Sequence, residues 1–526
     1  MTAAPTDRRR RPGAGSALAA LLAASPLAGP SVAVAADAKP GPRTAEARTA
    51  AYLDRIAADG PQLRMFLQAM PKGADLHSHV GGSVYAEDFL RWAGNDGLCI
   101  ATDTNRIAAP PCDAPGRVAA RELMDREHSR YGRAVDALST RGLESGVGDP
   151  ETPGHDRFFS AFEGFSAAMR GNIGKEIAAV REAAAYNNVS YVEVMVMPPA
   201  VRDILDPFAA TTEDSSDFLA LSAALAPLLP RAVAEARRTL DGYEAEAAAI
   251  EKCDILPANP ACAVTVRYQI PARRNPWPKT AFAELAFGFA LAKADPRIAG
   301  VNLTGPEHDP VSIRDYGLHM RMVAFLKARN PDVRISLHAG ELTLGLVAPR
   351  DLRFHIQDAV SVAGANRIGH GVSIAYEPEA RDLMRRMARD GIAVEINLTS
   401  NAAILGVKGR DHPLALYRSE GVPVVLSTDD QGVSRSDMTN EYMRAVREQG
   451  LRYPALKEII RNSLQYAFIP GPSLWRSRVG GAAVAACPAP AKSPDAACSR
   501  FLDTSPKARL QWRLEQDLAK FEREHD

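Results

Sequence analysis

The stretch Gly73-Ala74-Asp75-Leu76-His77-Ser78-His79 ends in a His-x-His pair. On a strand, residues two apart point to the same side, so His77 and His79 converge on one point and suit two imidazoles sharing one metal ion. Such a pair alone is a weak signal, because surface pairs of this kind occur by chance. Later residues strengthen it: His338, His370 and Asp429 each end a further apolar run. Three neutral imidazoles from among His77, His79, His338 and His370, with the Asp429 carboxylate, can hold a zinc ion and leave a position for water. A water on such an ion has its pKa lowered to about 7, which makes hydroxide available at neutral pH. A proton donor is still needed. Glu341 lies three residues past His338, in the first loop turn, and can reach over the metal. Asp430, beside Asp429, can hydrogen-bond the nucleophile or a ring nitrogen of a substrate. Each residue also has a plainer reading: a strand-end His as a satisfied polar group, Asp429-Asp430 as a turn or helix cap, Glu341 as a solvated loop charge. Taken jointly, those readings require independent coincidences at four strand ends, so a metal site is the expectation.

Eight strand-like runs position these residues. The first carries His77. Next come Tyr191–Val196, Ala263–Gln269, Ile298–Thr304, Val333–His338, Arg367–His370, Ile392–Asn397 and Pro423–Asp429. Helical patterns separate most of them, including 215–251, 279–294, Gly317–Ala328 and Pro378–Asp390. Alternation of this kind implies a parallel sheet, and eight units imply an α/β (β/α)8 TIM barrel. A doubly wound open sheet is the alternative. No Gly-x-Gly-x-x-Gly turn follows an early strand, so nothing favours a dinucleotide site. In a barrel the chemistry sits at the C-terminal ends of the strands, where every candidate lies.

The chain has 526 residues, with 63 basic and 63 acidic side chains, and this balance gives no support for a nucleic-acid binder. Residues 1–35 read as an export signal: Arg8 to Arg11, an apolar Ala17–Leu27, and Ala33-Val34-Ala35 before a cleavage point. The apolar part is too short to span a bilayer, so a periplasmic or secreted protein, with no membrane contact after processing, is expected. Six cysteines fit that compartment and fall as local pairs, Cys99 with Cys112, Cys253 with Cys262 and Cys487 with Cys498. Residues 36–70 form an N-terminal helical extension, interrupted at Pro61, and 71–470 the barrel. Residues 94–118 read as a loop excursion, and 119–170 as mostly helical with a break at Gly146–Gly154. The aromatic run Asp156–Phe162 reads as core rather than ligand contact. Residues 471–526 hold a loop with the last cysteine pair, then a closing helix with Leu510, Leu514, Leu518 and Phe521 at helical spacing.

Five ordered motifs resemble the adenosine deaminase branch of the metal-dependent amidohydrolases. Met70-Pro71-Lys72-Gly73-Ala74-Asp75-Leu76-His77-Ser78-His79 is similar to the opening motif, particularly of the secreted growth-factor-like members. His338-Ala339-Gly340-Glu341, Arg367-Ile368-Gly369-His370-Gly371, Thr399-Ser400-Asn401 with Leu405-Gly406, and Ser427-Thr428-Asp429-Asp430 resemble the later ones. The resemblance implies one zinc ion per subunit on His77, His79, His338 and Asp429. It implies that Glu341 protonates purine N1 as hydroxide attacks C6, and that His370 orients the hydroxide. Asp430 would bond the hydroxide or purine N7, and the Gly305 N–H purine N3, with His79 also bordering the substrate. The implied reaction is hydrolytic deamination of adenosine or 2'-deoxyadenosine, with another 6-aminopurine derivative as the alternative. A non-catalytic extracellular binding or signalling protein is a third reading, and a homodimer is the assembly the growth-factor-like members imply. The chain departs from the family pattern at Gly81, commonly Asp; at Asn397-Leu398, commonly Cys-Pro; and at Gln431, usually Pro.

Overall fold

Eight parallel strands close on themselves in the computed structural model, which describes residues 44–143, 152–211, 215–476, 482–488 and 493–525. They are β1 Gly73–His79, β2 Val189–Met195, β3 Thr265–Arg273, β4 Ile298–Thr304, β5 Ser336–Ala339, β6 Arg367–His370, β7 Ala393–Ile396 and β8 Val424–Leu426. Two four-stranded halves, β1 to β4 and β5 to β8, are continuously hydrogen-bonded. Parallel bridges at Val301–Ile335 and Ser78–Asp429 join them, so neither half has a free edge. The second of these seams runs through the site itself: Asp429 N–H donates to the His77 carbonyl at 2.8 Å, and His79 N–H donates to the Asp429 carbonyl at 3.2 Å. β4 to β8 are buried along their whole length, as expected of parallel strands covered on both faces. The barrel expected from the sequence is the fold.

The helices at 45–69 and 506–524 pack together on the barrel. Pro61 lies in the first turn of the second N-terminal helix, Gly60–Ala69, where its missing N–H costs nothing; the break falls before it, after Ala45–Ile56. The closing helix Pro506–Glu524 lays Phe521 against Phe66, with ring centres 5.0 Å apart. Lys457, on the helix Tyr453–Tyr466, reaches both Glu46 at 2.8 Å and Glu522 at 2.6 Å. Lys72 is fully buried, and its ammonium donates to the carbonyls of Leu67 (2.6 Å), Met70 (3.0 Å) and Asn187 (2.9 Å). It therefore ties the end of the second helix to the base of β1 and β2.

Several elements differ from the sequence reading. Residues 94–118 are not a plain loop: Cys99–Ala101, Ile107–Ala108 and Arg117–Ala119 form a small antiparallel sheet, too short to show a period. The helical stretch 215–251 is two helices, Phe218–Leu225 and Leu229–Glu251, with Pro230 in the first turn of the second. β3 starts later and runs longer, to Arg273, because Pro260–Ala263 is a 3-10 turn. The three cysteine pairs are bonded as expected. The export signal, residues 36–43 and most of the Gly146–Gly154 break lie outside the described residues. Among the described residues no single helix is long and apolar enough to cross a membrane.

Candidate active site

His77, His79, His338 and Asp429 meet at one end of the barrel, and one ligand atom from each lies within 4.8 Å of all the others. Nε2 of His79 is 3.2 Å from Nε2 of His338. Asp429 Oδ1 is 3.4 Å from His77 Nε2 and 3.3 Å from His79 Nε2. Buried partners hold two of the rings from behind. His77 Nδ1 lies 2.7 Å from Glu395 Oε2, and His338 Nδ1 lies 2.9 Å from Asn302 Oδ1. An acceptor at Nδ1 leaves the hydrogen there and the Nε2 lone pair free, which is the tautomer a metal needs. His77 Nε2 is buried and has no hydrogen-bond partner among the described residues. The donor set and this buried, unbonded nitrogen fit a divalent ion.

The electrostatics point the same way. Burial works against charge on His77, but the Asp429 and Glu395 carboxylates outweigh it and raise its pKa to about 10. His338 is pushed well below the ordinary imidazole range by burial and by its neighbouring histidines. The cluster thus demands one positive charge and cannot spread it over its rings, a demand that a metal cation meets. Beneath it, Arg367 is fully buried, pairs with Glu395, and reaches Glu193 at 2.5 Å. Burial opposes charge on Glu395, but Arg367 and His77 hold its pKa down at about 2. The Arg of the sixth-strand motif is therefore the base on which the His77 support rests.

Backbone conformation at the strand ends is unusual. His370 has φ 67° and Asp429 φ 56°, left-handed values that cost a non-glycine residue on the order of 1 kcal/mol each. Gly82 is required by close approach: a Cβ there would sit 1.5 Å from Asp430 Oδ1. At Gly81 a Cβ would meet Met169 Sδ at 2.6 Å. The helix Gly154–Met169 occupies the space where the family commonly places an Asp side chain.

A cavity of about 410 Å³ opens over the cluster, a volume suited to a small ligand. His79, His338, Glu341, His370, Asp429 and Asp430 line its polar end. Gly305, with φ 100°, and Thr304 border it from β4. The structure thus brings every candidate from the sequence into one site, with His77 buried just behind the lining. Glu341 is buried; burial first, then the charges of Asp429 and Glu307, raise its pKa to about 8. Asp430 is likewise held well above the ordinary range by burial and by Asp429. Burial and the neighbouring carboxylates thus favour the protonated form of both carboxyls. Glu307 fixes the Glu341 loop by accepting from the N–H groups of Gly340 (3.0 Å) and Glu341 (2.8 Å), and His355 Nδ1 lies 2.5 Å from it.

The reading of the aromatic run as core holds in part: Phe158 is buried in an apolar cluster against which Phe159 and Phe162 pack, but the same rings also reach the site. Phe158, Phe159 and Phe162 line the cavity from the helix Gly154–Met169, while Phe165 on the same helix packs on Phe89. That helix crosses the mouth of the barrel, which its own period does not reveal. Glu163, Asn275 and Ile404 complete the wall and were not singled out in the sequence. Glu395, Glu193 and Asn302 were also passed over, although a polar residue inside an apolar strand is a signal that something must pair with it.

A family model described as Adenosine deaminase matches residues 175–475. The adenosine deaminase of Shewanella loihica is 35% identical over 146 residues, which are 28% of this chain and 41% of that protein. That of Clostridium perfringens is 32% identical over 142 residues, 27% of this chain and 40% of that protein. The chain therefore spans about two fifths of the length of these curated relatives. An N6-methyl-AMP deaminase structure from Arabidopsis thaliana aligns with 77% of this chain and 94% of its own, at 18% identity and a TM-score of 0.47. The family match begins after β1, so the convergence of His77 and His79 with the later ligands rests on the geometry above. With more than half of its length matched, this chain belongs to the adenosine deaminase family.

Proposed function

We propose that the protein is a metal-dependent hydrolase that deaminates adenosine or 2'-deoxyadenosine, giving inosine or 2'-deoxyinosine and ammonia. The observation that carries this reading is a buried, proton-bearing Glu341 in the same cavity as the His77, His79, His338 and Asp429 cluster. Those four residues would hold one zinc ion, which would supply a water acidic enough to act as hydroxide at neutral pH. Glu341 donates its proton to purine N1 while oxygen adds at C6, so C6 becomes tetrahedral without a ring anion. Asp430, also protonated, donates to N7, and the Gly305 N–H donates to N3. Three donors on one cavity thus answer the three bare ring nitrogens of a 6-aminopurine. His370 stands at the nucleophile's side, its Nε2 4.0 Å from Asp429 Oδ2. The proton of the new C6 hydroxyl then passes through the Glu341 carboxylate to the amino group, the C6–N bond breaks, and ammonia leaves as C6 becomes the carbonyl of the product.

The cavity favours a nucleoside over a nucleotide. Among the described lining residues there is no Lys or Arg to meet a phosphate, and the nearby Arg106 is engaged by the rim carboxylate Glu163 at 2.9 Å. A second reading, another 6-aminopurine nucleoside, is favoured by Met169 filling the space beside Gly81. Export to the periplasm or exterior belongs to the same proposal, supported by three disulfides and no free cysteine among the described residues.

The test is ammonia release by zinc-loaded mature protein on adenosine, 2'-deoxyadenosine, AMP, adenine and N6-methyladenosine, with metal content measured on the same sample. The proposal expects one zinc per chain, turnover of adenosine or its deoxy form, and AMP slower by at least about 100-fold. Bound metal with turnover confined to AMP or adenine would contradict it.

A further inference from the structure

Three buried side chains behind the site form a hydrogen-bonded line whose direction can be read. It begins at the Leu414 N–H, which donates to His412 Nδ1 at 3.2 Å. A backbone N–H can only donate, so Nδ1 of His412 must be an acceptor, and its one ring hydrogen sits on Nε2. Burial and nearby Arg444 hold the His412 pKa down at about 4, so the ring is neutral at neutral pH. His412 Nε2 lies 3.1 Å from Asn401 Oδ1, which therefore accepts from it. That contact fixes the amide's orientation and turns its NH2 toward His370, with Asn401 Nδ2 3.0 Å from His370 Nδ1. His370 Nδ1 is then an acceptor, and its hydrogen is on Nε2, the nitrogen that faces Asp429 and is buried with no hydrogen-bond partner among the described residues.

We propose that His412, which lines neither the cavity nor the metal cluster, is a positioning residue that acts through Asn401 to fix which nitrogen of His370 carries the hydrogen. The device answers a real ambiguity. Glu341 Oε1 is 3.6 Å from His370 Nδ1, and with the other tautomer that nitrogen would donate to Glu341 and leave a bare Nε2 facing the Asp429 carboxylate. Asn397, which stands where the family commonly has Cys, adds a second amide 3.3 Å from Nδ1. Its own Oδ1 has no hydrogen-bond partner among the described residues, and none of them holds that amide in one orientation. Only Asn401 is held from behind, and it is held by His412. The ordinary explanation, that His412 merely caps the short helix Leu414–Ser419, accounts for the Leu414 contact but not for the Asn401 contact.

The catalytic meaning of this tautomer rests on the proposed deaminase reading; the tautomer itself does not, and it is measured without turnover. Full-length protein labelled with 15N-histidine is examined by long-range 1H–15N correlation at neutral pH, with His370→Gln to assign the signal. The wild type is expected to show His370 as the Nε2–H tautomer. His412→Phe removes the donor to Asn401 and is expected to give a mixed tautomer, with kcat lower by about 10-fold and KM within about threefold. His412→Gln, which keeps an N–H donor, restores both. Asn401→Asp can only accept, so it is expected to move the hydrogen to Nδ1 and lower kcat by about 10²–10⁴-fold, the scale of a mis-set catalytic imidazole. It keeps the side-chain volume, so it decides the matter if His412→Phe fails to fold. An Nδ1–H tautomer in the wild type overturns the proposal, as does an unchanged His370 spectrum in Asn401→Asp. If the spectra behave as expected while no adenosine is turned over, the relay stands and the substrate assignment falls.

Discussion

The floor and the wall of the cavity are built in different ways. The floor consists of strand ends: His77 and His79 from β1, His338 from β5, His370 from β6, Asp429 and Asp430 just past β8. His77 and His338 are locked from behind by the buried partners Glu395 and Asn302, and Glu395 is itself held by Arg367. The wall facing it comes from one inserted helix, Gly154–Met169, with Phe158, Phe159 and Phe162 set against the site and Glu163 ion-paired to Arg106 at 2.9 Å on its rim. The barrel can hold strand ends to a fraction of an ångström; a surface helix offers shape and apolar area. In the proposed reading the floor governs chemistry and the wall governs which molecule is presented to it.

That division can be broken from either side. The largest effects belong to the floor. His338→Ala removes a ligand and is expected to abolish metal retention and lower kcat by at least about 10⁴-fold, read by metal analysis and ammonia release. Gly82→Ala places a methyl group against Asp430 and is expected to cut kcat/KM by about 100-fold while the metal stays bound, which separates Asp430 from the ligands. Glu395→Gln weakens the support of His77 and is expected to loosen zinc by about 10–100-fold in a competition titration with a chelator. The wall gives the smallest effect: Phe162→Ala is expected to raise KM by about 10-fold and leave kcat within about threefold. A kcat loss as large as that of a floor variant would show that the helix shapes the reacting geometry.

The proton donor adds a pH test. Burial raises the Glu341 carboxyl from its ordinary value to about 8, so it carries its proton below that pH and loses it above. A general acid must be protonated, so kcat/KM is expected to fall on the alkaline side. A bound cation beside Asp429 draws the carboxyl downward, so the limb should lie above the ordinary carboxyl range and no higher than about pH 8. Glu341→Gln should lose both the limb and the activity.

The same contrast explains what could be read in the sequence. Strands of a parallel barrel are short apolar runs, and their ends were visible as the places where His338, His370 and Asp429 interrupt them. Local rules sufficed there because residue spacing on a strand dictates direction. The aromatic helix gave a sound helical signal and half of its role: its rings pack in an apolar cluster, but only the tertiary placement of the segment turns Phe158, Phe159 and Phe162 toward the site as well. Glu193 and Glu395 were passed over although they are charges inside apolar strands, and their partner Arg367 is distant in sequence. His412 gave no local sign at all, since its meaning depends on the orientation of an amide eleven residues away. Gly82 is intermediate: the Gly81-Gly82 pair was visible, and its reason, the approach of Asp430, was not.

The most direct test of the central claim is conversion of adenosine to inosine by zinc-loaded wild-type protein set beside Glu341→Gln loaded in the same way. The account predicts turnover in the wild type, a loss of at least about 10³-fold in the variant, and equal zinc content in both. Equal zinc with equal turnover in the two proteins would contradict it, because the proton that reaches the ring would then come from somewhere other than Glu341.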